Sequence, residues 1–181
     1  MKKFELTAES KINIFGKKLF RIKALISFGD VEEGETGGWI EKEENLEQSS
    51  GDAWVSGDAE VSGDARVYGN ARVSGDAWVY GNARVYGDAE VYGDARVSGD
   101  AEVYGNADYT TIHGFGTQFR TTTFFQCEDK QIRVSCGCFL GTIPEFREQV
   151  KNTREGKIAE EYLMIADLME KHFVKEKESG E

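Results

Sequence analysis

The most reactive side chains in this 181-residue chain are three Cys and two His. Cys136-Gly137-Cys138 brings two thiols closest together in sequence. On an extended strand they share one face, because side chains alternate in direction. Cys127 on a paired strand and one His would then complete a four-ligand zinc shell. The two-residue spacer usual between zinc thiolates is missing, and small buried thiols are ordinary in apolar strands, so structural Cys is the plainer reading. His113 and His172 are too few for a site of three His ligands. No cofactor is expected.

The elements that must carry these groups follow from a six-residue unit, Gly-Asp/Asn-Ala-x-Val-Ser/Tyr. It recurs nine times from Gly51 to Tyr104, and a decayed copy covers 105–110. In Ala53-Trp54-Val55 the Ala and Val share a face while Trp54 points away. A fixed apolar pair around a free position suits a half-buried strand. The Gly-Asp or Gly-Asn that follows is a turn signal. One unit cannot bury its Ala-Val face, but stacked units can, so the chain is expected to coil into a solenoid.

The spacing and residue types resemble the hexapeptide-repeat left-handed parallel β-helix, in which three hexads form an 18-residue triangular coil. The resemblance covers about a third of the chain and implies the handedness. Its coil would stack Val55, Val73 and Val91 with Tyr109, then Val61, Val79 and Val97, then Val67, Val85 and Val103. Each buried Val stabilises by roughly 1.5–3 kcal/mol before ordering entropy is counted. The resemblance also implies a homotrimer. Acyltransferases of that fold use a His as general base toward the acceptor, which makes His113 the candidate here. Residues 51–110 hold neither a His nor an extruded loop, and a turn residue in a cap region is the plainer reading of His113.

The outward positions carry the individuality of the surface. Tyr68, Tyr86 and Tyr104 form an unbroken ladder. Trp54, Trp78, Arg66, Arg72, Arg84 and Arg96 occupy varied strand positions, and aromatic and Arg side chains are favoured at interface hot spots. These residues are the expected contacts for a protein partner; the ladder either stiffens the coil by edge-on stacking, the plainer reading, or receives the C-terminal helix or a neighbouring subunit. At the corners, Asp52, Asn70, Asp88 and Asn106 alternate, as do Asp64, Asn82 and Asp100. Carboxylates about 5 Å apart in water repel by roughly 1 kcal/mol, so alternation relieves strain. The third column, Asp58, Asp76 and Asp94, is all acidic; a cation there is conceivable, but solvated turns are the plainer reading.

Net charge is −11, and the repeat alone carries four Arg against eleven Asp or Glu. A conventional nucleic-acid-binding face is thereby disfavoured. Mimicry of nucleic acid toward a basic partner is the sharper reading, and a simply acidic, soluble protein is the plainer one. The start, MKKFELTAES, lacks an apolar signal core and no stretch is long enough to span a bilayer, so no membrane association and a cytoplasmic location are expected. Reduced thiols agree with that compartment.

A solenoid leaves open edges at both ends and requires caps. Residues 1–50 read as the first, with strands at Lys11–Phe15 and Leu19–Ile26 around a Gly16-Lys17 turn, then an irregular coil placing Val31, Ile40 and Leu46 under the Val columns. Residues 51–110 form the solenoid. Residues 111–181 read as a transition, strands Phe119–Cys127 and Ile132–Phe139, a helix capped at Thr142, a helix over Lys157–Val174 and a charged end, Lys175–Glu181. The fold class expected is mainly β: a three-sided parallel β-helix with an N-terminal β cap and a C-terminal ββαα module.

Residues 19–25, 37–41, 120–125 and 134–139 also resemble β-solenoid proteins of phage and prophage regions of Gram-positive bacteria. That resemblance implies a phage setting without an assigned activity. A non-enzymatic interaction scaffold, in one form a counter-defence inhibitor of a host protein, is the function expected; a hexapeptide-fold acyltransferase is the alternative.

Overall fold

The computed structural model describes residues 2–174; Lys175–Glu181 lie outside the described residues. An antiparallel hairpin opens the chain, β1 (Phe4–Ile12) and β2 (Lys18–Ala24), and β2 pairs with β3 (Thr36–Ile40). The hairpin turns at Asn13–Lys17, with Gly16 at φ 74°, where a side chain would be strained. The first strand begins at Phe4, earlier than the sequence pattern suggests, because Phe4 is fully buried beneath the first coil.

Nine two-residue strands follow. They are β4 (Trp54–Val55), β5 (Glu60–Val61), β6 (Arg66–Val67), β7 (Arg72–Val73), β8 (Trp78–Val79), β9 (Arg84–Val85), β10 (Glu90–Val91), β11 (Arg96–Val97) and β12 (Glu102–Val103). They fall into three parallel columns, β4-β7-β10, β5-β8-β11 and β6-β9-β12, each register offset by 18 residues. Every Ala and Val of the unit is at most 1% exposed, so the inward pair forms one continuous core. Coil-to-coil hydrogen bonds run through the corners as well as the strands: Ser56 N–H donates to Val73 O at 2.9 Å and Asp58 N–H to Gly75 O at 3.0 Å.

The first coil is irregular in the expected way at two of its three positions. Ile40 pairs with Val61 and Leu46 bridges to Val67. Val31 is buried in the same core, though its bridge is to Phe28. At the other end the decayed tenth unit is a 3₁₀ turn at Asn106–Asp108 rather than a strand.

The C-terminal part differs from a ββαα module by two strands. A four-stranded antiparallel sheet, β13 (Tyr109–Phe115), β14 (Arg120–Gln126), β15 (Ile132–Cys136) and β16 (Phe139–Thr142), precedes α1 (Ile143–Thr153) and α2 (Gly156–His172). The stretch expected as one strand, Ile132–Phe139, is a hairpin, because Gly137 adopts φ 61° and turns the chain. Thr142 caps α1: Glu145 N–H donates to its hydroxyl, and Glu145 Oε2 accepts from Thr142 N–H at 2.7 Å. Tyr162, Ile165, Ala166 and Met169 give α2 its buried face. Arg147 joins the helices through Asp167 at 2.7 Å and Glu170 at 2.6 Å.

Candidate functional site

The third column presents a regular outward array. Arg66 and Tyr68 lie two apart on one strand and its corner, as do Arg84 and Tyr86, then Glu102 and Tyr104, so each pair leaves on the same side. Tyr68 and Tyr86 stack face to face, with centroids 4.9 Å apart and planes within 6°. Tyr104 meets Tyr86 edge-on at 5.2 Å and is 61% exposed. Burial pushes the Tyr68 and Tyr86 hydroxyls above their usual range, so both are neutral donors at physiological pH. Arg66 and Arg84 are in register and exposed. Arg84 reaches Glu102 at 3.3 Å, which Lys130 also approaches, whereas Arg66 has no ion-pair partner among the described residues. The C-terminal helix does not cover the ladder: α2 buries its apolar face with β14 and α1 in a separate core.

The other expected contact residues divide. Trp54 is only 2% exposed, so it is not part of the surface. Phe4 and Phe28 pack on its outward ring at 6.4 and 5.6 Å. Arg72 is tied to Asp30 of the N-terminal cap. Trp78 is half-buried, with Phe15 of the β1–β2 turn edge-on at 5.8 Å and the Arg96 guanidinium over its ring at 4.5 Å. The strand position that sequence alone leaves free is therefore covered at Trp54 and Arg72, and partly at Trp78, by the hairpin and its following loop.

The corner columns behave as their alternation suggests. Asn70 Nδ2 donates to Asp88 and Asn82 Nδ2 to Asp100, both at 3.0 Å, so each amide bonds a neighbouring carboxylate without bringing two charges together. In the all-acidic column, Asp58 accepts weakly from Arg21 and Trp39 Nε1 at 3.4 Å.

The three thiols are not brought together. Cys127 is buried against the last coil, its thiol pushed up to about 11 by burial. Cys136 and Cys138 sit on either side of the Gly137 turn, the first half-buried and the second exposed. No three His, Cys, Asp or Glu side chains gather to hold a metal among the described residues. The shared-face expectation fails because it assumed a continuous strand.

His113 stands on β13 with Nδ1 3.1 Å from the Thr121 hydroxyl. It lines a cavity of about 690 Å³ between the β1–β2 turn and the C-terminal sheet. Ile14, Phe15, Phe119 and Arg120 line the same cavity, and sequence reasoning assigned none of them a role. One signal was available: Ile14-Phe15 places two large apolar residues in a hairpin turn, where polar residues are the rule.

The YdcK beta solenoid repeat family model matches residues 65–81 and 77–93. Both stretches fall inside the repeat and agree with the β-solenoid built by the three strand columns. No curated protein matches the chain. No helix among the described residues is long and apolar enough to cross a membrane.

Proposed function

We propose that the protein is a non-enzymatic scaffold that presents the Tyr68–Tyr86–Tyr104 face, with Arg66 and Arg84, to a protein partner. The observation that carries this reading is the ladder itself. Three Tyr rings and two Arg are held on a stiff column that no element of the described chain covers. Tyr and Arg are the side chains from which interfaces draw most of their energy, and a preordered surface loses little entropy on binding. Trp78 and Arg96 form a separate patch, and Trp54 and Arg72 serve the cap instead. The setting proposed is a phage or prophage product in the cytoplasm of its bacterial host, acting against a host defence protein. The resemblance of the caps to phage solenoids supports that setting.

A homotrimer would use a solenoid face between copies and is the competing use of the ladder. The acyltransferase reading draws support from the cavity beside His113. Against it, the ring nitrogen of His113 meets a hydroxyl, and no carboxylate among the described residues bonds it to orient it as a general base.

The test is capture of a partner from a bacterial host extract, followed by reconstitution with the purified partner. Replacing Tyr68, Tyr86 and Tyr104 together with Ser is expected to weaken reconstituted binding by at least about 30-fold, the loss typical of one hot spot. Unchanged affinity would remove the ladder as the contact face.

A further inference from the structure

The scaffold role leaves the cavity beside His113 without a purpose. Its sides come from distant parts of the chain: Ile14 and Phe15 from the N-terminal turn, Tyr80 and Arg96 from the solenoid, and Phe119 and Arg120 from the C-terminal sheet. Its volume, about 690 Å³, falls within the range of small-molecule sites.

Three features of the lining point to a ligand. Ile14 is 72% exposed and Phe119 64%, so large apolar groups from two separate elements stand in water around one hollow. Phe119 also adopts φ 49°, a left-handed conformation that costs a non-glycine residue about 1–2 kcal/mol. Strain of this kind concentrates at ligand sites. Finally, Arg96 and Arg120 make no ion pair among the described residues, although the chain holds 33 acidic residues against 22 basic ones. Asp94 is the one carboxylate among the described residues of the lining. The Arg96 guanidinium lies over Trp78, which fixes its plane, and its guanidinium N–H groups donate to no group among the described residues.

We infer that this cavity binds a small aromatic anion. Arg96 and Arg120 take the anionic oxygens, and Phe15, Tyr80 and Phe119 take the flat ring. The forked donors of a guanidinium match phosphate geometry, and aromatic walls accept any base by stacking. A nucleoside monophosphate joins those two groups in a molecule of suitable size. This site is separate from the Tyr ladder and stands whether or not the ladder binds a protein. A longer acidic peptide would meet the same guanidinium groups, but a hollow lined by three separate elements favours the compact ligand.

Calorimetric titration of the full chain with AMP, GMP, CMP and UMP tests the inference, with adenosine and inorganic phosphate as separate arms. At least one nucleotide is expected to bind with a Kd below about 1 mM, and about tenfold more tightly than adenosine or phosphate alone. Arg120→Gln is expected to weaken that binding about tenfold. Phe119→Gly removes both the ring and the backbone strain, so it should weaken binding while raising the melting temperature. The inference is overturned by absence of nucleotide binding, by phosphate binding as tightly as the nucleotides, or by affinity unchanged in both variants. It is equally overturned if a Glu- and Phe-containing peptide binds and the nucleotides do not.

Discussion

Phe124 and Phe125 are neighbours on β14, both fully buried, yet they belong to different cores. Phe125 closes the end of the solenoid with Tyr109 and Cys127, whereas Phe124 packs at 6.3 Å against Phe146 of α1. One strand with period-two alternation thus serves as cap on one side and as floor for the helices on the other. Truncating either ring should cost about 3–5 kcal/mol. The consequences should differ in place. Phe124→Ala is expected to raise amide exchange in α1 and α2 while the last coil stays protected. Phe125→Ala is expected to raise exchange in β11 and β12 as well.

The corners of the solenoid offer a paired comparison. Gly75 and Gly93 adopt nearly the same φ, 70° and 65°. A Cβ on Gly75 would lie 3.0 Å from Gly93 N, whereas one on Gly93 would meet nothing within 4 Å. Gly93→Ala should therefore cost only the left-handed penalty of about 1–2 kcal/mol, and Gly75→Ala distinctly more. Chemical denaturation of the two variants measures the difference. Equal losses would mean that neighbouring coils give way freely at the corners.

Thiol accessibility should separate the three Cys. In the native protein at pH 8 an aromatic disulfide reagent is expected to label Cys138 first and leave Cys127 unmodified until the chain unfolds. Burial both shields Cys127 and keeps it protonated, its pKa being near 11. Peptide mapping after partial labelling identifies the sites.

Alkaline pH should weaken the C-terminal cap. Burial raises Tyr109 to about 12 from 10.0 and Cys127 to about 11 from 9.0. The fold favours their protonated forms, so their contribution is complete below the unfolded values and is lost as pH rises through the folded ones. Stability is expected to fall from about pH 9 upward. Tyr109→Phe also loses the 2.6 Å hydrogen bond to Glu90 O, so it should be less stable at neutral pH but less sensitive to alkali. Urea midpoints across pH 7–11 check the sign.

Much of the fold was legible because the repeat is strict. A Gly-Asp corner and an Ala-Val pair state the same local structure nine times, and the 18-residue register follows from stacking. The capping box at Thr142 and Glu145 was legible for the same local reason. What lay beyond reach was the covering of outward positions. Trp54 looks free in its hexad, but Phe4 and Phe28 bury it from elsewhere in the chain. Beyond the apolar Ile14-Phe15 in the first turn, the cavity left no sign in the sequence, because its sides come from residues around 15, 80, 96 and 120. The Gly137 turn was readable in principle: a Gly between two Cys in a strand pattern marks a break.

The most direct test of the scaffold role places a photoactivatable phenylalanine analogue at position 86 of the ladder and, separately, at the exposed Leu168 of α2. Both variants are irradiated in the bacterial host. The expected result is one discrete adduct with a host protein from position 86, abolished by Arg66→Ala with Arg84→Ala, and none from position 168. Adducts only between copies of the chain, equal adducts from both positions, or none from position 86 would contradict presentation of the Tyr face to a foreign partner.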